Sequence, residues 1–144
     1  MDNLYLHKTA IILYAEDNPA DQRLTLKAFN KSKVKTDLRI VNDGQEALDY
    51  LEHKGEYADQ STSPLPDLIL LDINMPLVDG KEVLKYIRES DRLNTLPVIM
   101  LTTSDYEKDI LESYKLGVNA YVSKPIKVED FFAAILRLEN FWMN

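Results

Sequence analysis

The fold is decided by the stretch Asp67-Leu-Ile-Leu-Leu-Asp72, which Ile-Asn-Met-Pro-Leu-Val-Asp-Gly80 follows directly. Four consecutive large apolar residues between two aspartates are typical of a strand that is buried on both faces, as in a parallel sheet. Pro97-Val-Ile-Met-Leu101 is a similar run, and Ala120-Tyr-Val122 is a shorter one. These runs predict three neighbouring strands of a sheet that helices cover on both sides.

Apolar runs and helical patterns alternate along nearly the whole chain. Ile11–Leu13 and Leu38–Val41 predict two further strands. Capping residues or helical periodicity predict five helices, with Leu24 and Ala28 on the inner face of the first. Five strands that alternate with five helices predict an α/β fold with a doubly wound, five-stranded parallel sheet. The predicted helices begin near Asn18, Asp43, Asp79, Ser104 and Val128.

The composition limits the possible chemistry. The length of 144 residues favours a single domain over residues 1–144, with a core at about 10–139. The formal net charge of −7 at pH 7 disfavours binding to nucleic acid or membranes. Because there are no cysteines and only two histidines, disulfides, thiolate zinc sites and clusters of histidine ligands are excluded. No signal peptide or membrane span is recognisable, so we expect a cytoplasmic protein.

Polar residues stand at the ends of the predicted strands. Glu16 and Asp17 follow the first strand, Asp72 ends the third, Thr102 ends the fourth and Lys124 follows the fifth. Ligands of open α/β sheets bind at the carboxyl ends of the strands, so we expect these side chains to meet. Carboxylates without histidine or cysteine select Mg²⁺ or Mn²⁺. The set predicts a phosphoryl-transfer site in which an aspartate attacks phosphorus, although each residue alone has the ordinary explanation of a cap or a surface group.

The same residues resemble the markers of the receiver domains of two-component response regulators, over about Ile11 to Leu138. Glu16-Asp17 matches the acidic pair of that family, and Asp72–Gly80 matches its D-x-x-M-P-x-x-D-G signature at every fixed position. The resemblance implies a flavodoxin-like fold with strand order 2-1-3-4-5. It also implies that Asp72 is the phosphoacceptor.

The resemblance assigns roles to further residues. Asp17, Asp72 and the main-chain carbonyl of Asn74 would bind Mg²⁺ directly, and Glu16 would act through a bound water. Lys124 would pair with the phosphoryl group.

The resemblance also implies a conformational switch. Thr102 would hydrogen-bond the phosphoryl group, and Tyr121, at the aromatic switch position, would rotate into the space that Thr102 vacates. Lys124-Pro125 resembles the cis peptide of the family. The surface that changes would be formed by the fourth helix, the fifth strand and the fifth helix.

The implied function is a signalling switch that takes a phosphoryl group from a sensor histidine kinase or a histidine phosphotransfer protein. It would catalyse only its own phosphotransfer and autodephosphorylation, so it is not expected to be an enzyme in the usual sense, and no output domain is expected. The polar loop at 53–66 and the aromatic Phe141-Trp142 also resemble single-domain regulators of phytochrome-type kinases. That subgroup implies a possible homodimer through the switch surface and the tail, unless the tail packs on its own sheet.

Three other functions use similar residues. A haloacid-dehalogenase-like phosphatase also has an aspartate nucleophile, but its second aspartate two residues later is replaced here by Asn74. A flavodoxin-like flavin module would place phosphate in the loop after the first strand, where Glu16 and Asp17 would repel it. An unphosphorylated docking adaptor would have no need of the complete acidic, threonine and lysine set.

Overall fold

The computed structural model describes residues 9–31, 35–102, 107–124, 126–127, 129–131 and 133. All five strands pair in parallel in the order β2-β1-β3-β4-β5. This topology confirms the predicted doubly wound sheet, with β3 at its centre. The strands are β1 (Ala10–Ala15), β2 (Thr36–Val41), β3 (Leu68–Asp72), β4 (Val98–Thr102) and β5 (Ala120–Ser123).

The helices follow the strands as predicted. The described part of the chain contains α1 (Pro19–Asn30), α2 (Gly44–Leu51), α3 (Gly80–Glu89) and α4 (Glu107–Lys115), and residues 129–131 and 133 are helical and mark α5. Three predicted caps are confirmed, because the side chains of Asn18, Asp43 and Asp79 accept hydrogen bonds from backbone N–H groups of the first helical turn. The predicted cap Ser104 lies outside the described residues.

The side chains of the central strand lie alternately in two apolar layers, one on each face of the sheet. All five residues of β3 are buried. Ile69 and Leu71 belong to the layer on the α2–α3 side of the sheet, and Leu68 and Leu70 belong to the layer on the α1–α5 side. The rings of Phe29 and Phe131 meet edge to face in the second layer, with their centroids 4.8 Å apart. The sheet is therefore fixed from both faces.

The inner face of α1 differs from the prediction. Leu24 is 55% exposed, and the buried residues of the helix are Thr25 and Phe29. The prediction that Leu24 lies on the inner face was therefore wrong, whereas Ala28 is partly buried. The physical reason is that the hydroxyl of Thr25 finds a partner in the buried hydroxyl of Tyr14, 3.1 Å away, so a polar residue can face the sheet.

The loop between α2 and β3 is tied to the sheet. It contains a short 3₁₀ turn at Gly55–Tyr57. The guanidinium of Arg39 donates to the carbonyl oxygen of Thr62 at 2.7 Å, and the hydroxyl of Tyr50 donates to that of Pro64 at 2.8 Å. None of the helices in the described ranges has the length and apolar character that crossing a membrane requires.

Candidate functional site

The carboxyl ends of two adjacent strands bring the predicted acidic residues together. Glu16 and Asp17 follow β1, and Asp72 is the last residue of the adjacent β3. One carboxylate oxygen from each of the three lies within 4.8 Å of the others. Glu16 and Asp72 are buried, whereas Asp17 is exposed. The cluster therefore has two fixed carboxylates inside the protein and one at the surface.

Lys124, which follows β5, places its ammonium group among the carboxylates. Its Nζ lies 2.7 Å from Oε1 of Glu16, 3.0 Å from Oδ2 of Asp72 and 3.0 Å from Oδ2 of Asp21. The side chain of Lys124 is only 10% exposed. A lysine ammonium has three N–H donors, so these three carboxylates can satisfy all of them.

Asp21 is the residue that the sequence reasoning missed. It lies in the first turn of α1, and its link to Lys124 joins positions 103 residues apart in the chain. The available signal was that α1 begins directly after the acidic end of β1, which puts its first turn at the same edge of the sheet. An acidic residue in the first turn of a helix is already explained by its favourable interaction with the helix dipole, so the sequence offered no reason to expect the contact of Asp21 with Lys124.

The protonation of the cluster follows from burial and from its neighbours. Burial raises the pKa of Glu16, and the nearby Asp72 raises it further, whereas the hydrogen bond from Lys124 lowers it. Burial by itself would lower the pKa of Lys124, but its hydrogen bonds to Glu16, Asp72 and Asp21 hold that pKa above the usual lysine value. The lysine is therefore a permanent cation at neutral pH.

A second set of contacts fixes the side chain of Glu16. The buried hydroxyl of Tyr14 donates to Oε1 at 3.3 Å, and the backbone N–H of Asn18 donates to Oε2 at 3.2 Å. The amide of Gln22 donates to the main-chain oxygen of Glu16 at 2.6 Å. Burial also raises the pKa of Tyr14, so this hydroxyl remains a proton donor. Both carboxylate oxygens of Glu16 therefore have a set direction.

The loop after β3 closes tightly on Asp72. The backbone N–H of Asn74 donates to Oδ1 of Asp72 at 3.2 Å. Gly80, the first residue of α3, lies so close that a Cβ added to it would be 2.4 Å from the main-chain oxygen of Asp72. The glycine of the D-G pair is therefore required by the close approach of helix and strand. Its absence of a side chain lets α3 begin directly beside the site.

The donor set of the cluster fits a hard divalent cation. Glu16, Asp17 and Asp72 offer only carboxylate oxygens, which suit Mg²⁺ and Mn²⁺. In the part of the chain that the structure describes, these three negative charges are accompanied by one ammonium group, that of Lys124, so a further cation is favoured on charge alone. The residues of the acidic triplet therefore fit a divalent metal ion.

The predicted switch residues are described in part. Thr102 ends β4 and pairs in register with Ser123 of β5, and its side chain lies outside the described residues. Tyr121 is half-buried against the α2–α3 layer, and its ring centroid lies 6.4 Å from that of Tyr114. Tyr114 is 51% exposed. Pro125 and the tail with Phe141 and Trp142 lie outside the described residues.

Comparison with known proteins agrees with this geometry. The family model described as "Response regulator receiver domain" matches residues 12–136. The curated response regulator Rcp1 of Synechocystis sp. is 41% identical over 134 residues, which cover 93% of this chain and 89% of Rcp1. The solved Mn²⁺-bound form of Rcp1 superposes with a TM-score of 0.74 at 41% identity, covering 92% of this chain and 94% of the other.

Two further solved structures are similar over most of the chain. The bacteriophytochrome response regulator RtBRR has a TM-score of 0.82 and 44% identity, with 92% of this chain and 79% of the other covered. The phosphorylated cyanobacterial phytochrome response regulator RcpA has a TM-score of 0.77 and 42% identity, with 95% and 96% covered. The similarity thus includes proteins solved in phosphorylated and in metal-bound states.

Proposed function

The chain belongs to the response regulator receiver domain family, and we propose that Asp72 is the residue through which it is phosphorylated. A receiver domain is a phosphorylation-dependent signalling module, and this function is favoured over a phosphatase or an unphosphorylated adaptor. The observation that carries the assignment to Asp72 is its position. Its carboxylate is buried at the end of the central strand, beside those of Glu16 and Asp17 and 3.0 Å from the ammonium of Lys124.

The proposed reaction is a transfer of the phosphoryl group between two nucleophiles. A carboxylate oxygen of Asp72 forms a bond to phosphorus while the bond from phosphorus to the donor breaks, and the donor leaves with that electron pair. The product is an aspartyl phosphate, a mixed anhydride that water can later hydrolyse. Catalysis consists of positioning and charge compensation, which the fixed cluster supplies.

The metal site would serve the same step. We propose that Asp17, Asp72 and the main-chain carbonyl of Asn74 bind Mg²⁺ directly and that Glu16 acts through a water, as in the resemblance described above. The burial of Glu16 and its hydrogen bonds from Tyr14 and Asn18 support a fixed role in the outer part of the site. When bound, the cation offsets the negative charge that phosphoryl oxygens bring to the cluster.

After phosphorylation, the ammonium group of Lys124 would contact a phosphoryl oxygen in place of the carboxylate oxygen of Asp72. Thr102 would donate its hydroxyl to another phosphoryl oxygen, and Tyr121 would then move inward. The half-buried position of Tyr121 supports this role, because its ring is only partly packed against the core and would not have to leave a fully buried site to move. The changed surface would be formed by α4, β5 and α5.

The partners follow from the family. We infer that the chain, as a receiver domain, accepts its phosphoryl group from a histidine kinase or a histidine phosphotransfer protein. We propose that its kinase is of the phytochrome type and that two copies associate through the α4–β5–α5 surface and the Phe141-Trp142 tail. The similarity to RtBRR and RcpA supports the first proposal. Light scattering before and after phosphorylation tests the second, and a monomer in both states would contradict it.

The organisation of the chain supports a single receiver domain. We propose one domain for residues 1–144, because the described strands form one sheet and the family match spans residues 12–136.

The assignment of Asp72 is tested by labelling with acetyl phosphate and Mg²⁺. Intact-mass spectrometry should show the gain of one phosphoryl group in the wild-type protein, and chelation of the metal should prevent it. Asp72→Asn should abolish the gain, whereas Asp91→Asn, which changes an exposed aspartate elsewhere, should leave it intact. Labelling of Asp72→Asn at the wild-type rate would show that another residue accepts the group.

A further inference from the structure

We infer that Asp21 is a positioning residue that anchors the ammonium group of Lys124 during phosphoryl transfer. The inference rests on the proposed roles of Asp72 and Lys124. Asp21 is not among the residues that the resemblance assigns to the site. It nevertheless lies 3.0 Å from the lysine nitrogen, as close as Asp72 does.

The three partners of Lys124 come from three different elements. Glu16 follows β1, Asp72 ends β3, and Asp21 lies in the first turn of α1. A lysine side chain has a long, flexible stem, so its ammonium stays in one place only if several contacts oppose the loss of conformational freedom. The three carboxylates hold the nitrogen from three directions, which fixes it beside Asp72.

Asp21 differs from the other two partners in what happens when the site is loaded. Within the ranges that the structure describes, the metal-type cluster comprises Glu16, Asp17 and Asp72, and Asp21 is not part of it. A divalent cation competes with Lys124 for the oxygens of Glu16 and Asp72. Phosphorylation then converts the carboxylate of Asp72 into an acyl phosphate, a mixed anhydride. Asp21 is the partner that neither event removes, so it can hold the lysine while the reaction proceeds.

The main chain of Asp21 is fixed to the same acidic segment. Its backbone N–H donates to Oδ1 of Asn18 at 3.2 Å, and the backbone N–H of Asn18 donates to Glu16 at 3.2 Å. The side chain of Asp21 is 33% exposed, whereas those of Glu16 and Asp72 are nearly inaccessible. A substitution at Asp21 therefore opens toward solvent and leaves no cavity in the core.

The test separates position from charge with two substitutions. Asp21→Asn removes the charge but keeps an oxygen that can accept from Lys124, and Asp21→Ala removes both. Two quantities are to be measured for each variant. One is the affinity for beryllofluoride, a mimic of the phosphoryl group, by ¹⁹F NMR at saturating Mg²⁺, and the other is the rate of labelling by acetyl phosphate. Asp21→Ala should lower the beryllofluoride affinity and the labelling rate by about two- to fivefold, the effect of losing one partly exposed ion pair, and Asp21→Asn should lose less.

The matched control is Asp91→Asn, which removes one charge far from the lysine and should bind beryllofluoride as the wild type does. If Asp21→Ala does not fold, Asp21→Ser replaces it, since serine is too short to reach Lys124. Equal losses in the Asn and Ala variants would overturn the inference, because only the charge would then matter. So would wild-type behaviour of both. A wild-type protein that neither binds beryllofluoride nor becomes labelled would instead refute the proposed function itself.

Discussion

Replacing Lys124 by methionine removes an ammonium group that contacts three carboxylates. Methionine keeps the length and apolar character of the stem, so the change isolates the charge. Its partners differ in exposure, because the side chains of Glu16 and Asp72 are 0% and 6% exposed and that of Asp21 is 33% exposed. The loss of stability should therefore come mainly from the two buried carboxylates.

The size of the effect follows from two independent estimates. Removing one partner of a buried ion pair costs about 3–5 kcal/mol, because the remaining charge is left without compensation. Protonating one carboxyl relieves that cost, and for an ordinary glutamate at pH 7 this takes about 3.7 kcal/mol. We therefore expect Lys124→Met to lower the free energy of unfolding by about 3–4 kcal/mol in the absence of metal. A domain of this size should remain folded.

The assay is urea denaturation with a chelator present, for the wild type and for Lys124→Met. The matched control is Lys81→Met, which removes an ion pair to Glu112 of similar length, 2.8 Å, whose side chains are 24% and 44% exposed. The control should cost no more than about 1 kcal/mol. Adding Mg²⁺ should restore more stability to Lys124→Met than to the wild type, because the added cation replaces the missing charge.

The pH dependence gives the decisive result. The pKa of Glu16 is higher in the folded protein than in the unfolded chain. The contribution of Glu16 to stability is therefore fully present at pH values below the pKa of the unfolded chain, and it is lost as the pH rises through the pKa of the folded protein. Without Lys124 that pKa rises further. The deficit of Lys124→Met should therefore shrink by about 2 kcal/mol between pH 7 and pH 5.5. A deficit equal to that of Lys81→Met and independent of pH would refute the reasoning.

Three further substitutions test other parts of the site and its scaffold. Gly80→Ala should destabilise by about 1–3 kcal/mol and weaken Mg²⁺ binding measured by calorimetry, because its Cβ would displace the main-chain oxygen of Asp72. Tyr14→Phe should cost about 1–3 kcal/mol in urea denaturation and also weaken Mg²⁺ binding, because Glu16 loses a donor. Arg88→Met should lower the thermal midpoint, because its guanidinium donates hydrogen bonds to backbone carbonyl oxygens in the loops before β4 and β5. These loops lie at the opposite edge of the sheet, so Mg²⁺ affinity should be unchanged.

The strands could be read from the sequence because each depends on a local pattern, and the predicted acidic cluster followed from their parallel arrangement. The runs that became β3 and β4 are apolar throughout, and a parallel sheet buries both faces of such strands. The carboxyl ends of parallel strands share one edge, so Glu16, Asp72 and Lys124 had to converge once the strands were placed. Topology alone supplied this part of the site.

The contacts that the sequence did not predict depend on the rotation of helices. The ion pair of Asp21 with Lys124 and the burial of Thr25 against Tyr14 both require α1 to turn a particular side toward the sheet. Periodicity favoured a face with Leu24 and Ala28, because it counts apolar residues and gives no weight to a hydroxyl with a buried partner. A polar pair across two elements leaves no local signal in either of them.

The arrangement of Lys124 bears on how a change at Asp72 reaches the surface. Lys124 directly follows β5, and Tyr121 lies within β5, three residues earlier. The ion pair from Asp72 to Lys124 therefore connects the central strand to β5 across β4. Under the proposed function, a phosphoryl group on Asp72 must draw the lysine nitrogen to a new position, and this pull acts on the strand that holds Tyr121. We expect an anchor at Asp21 to limit that displacement, so the carboxylate proposed to position the lysine would also set how far β5 responds.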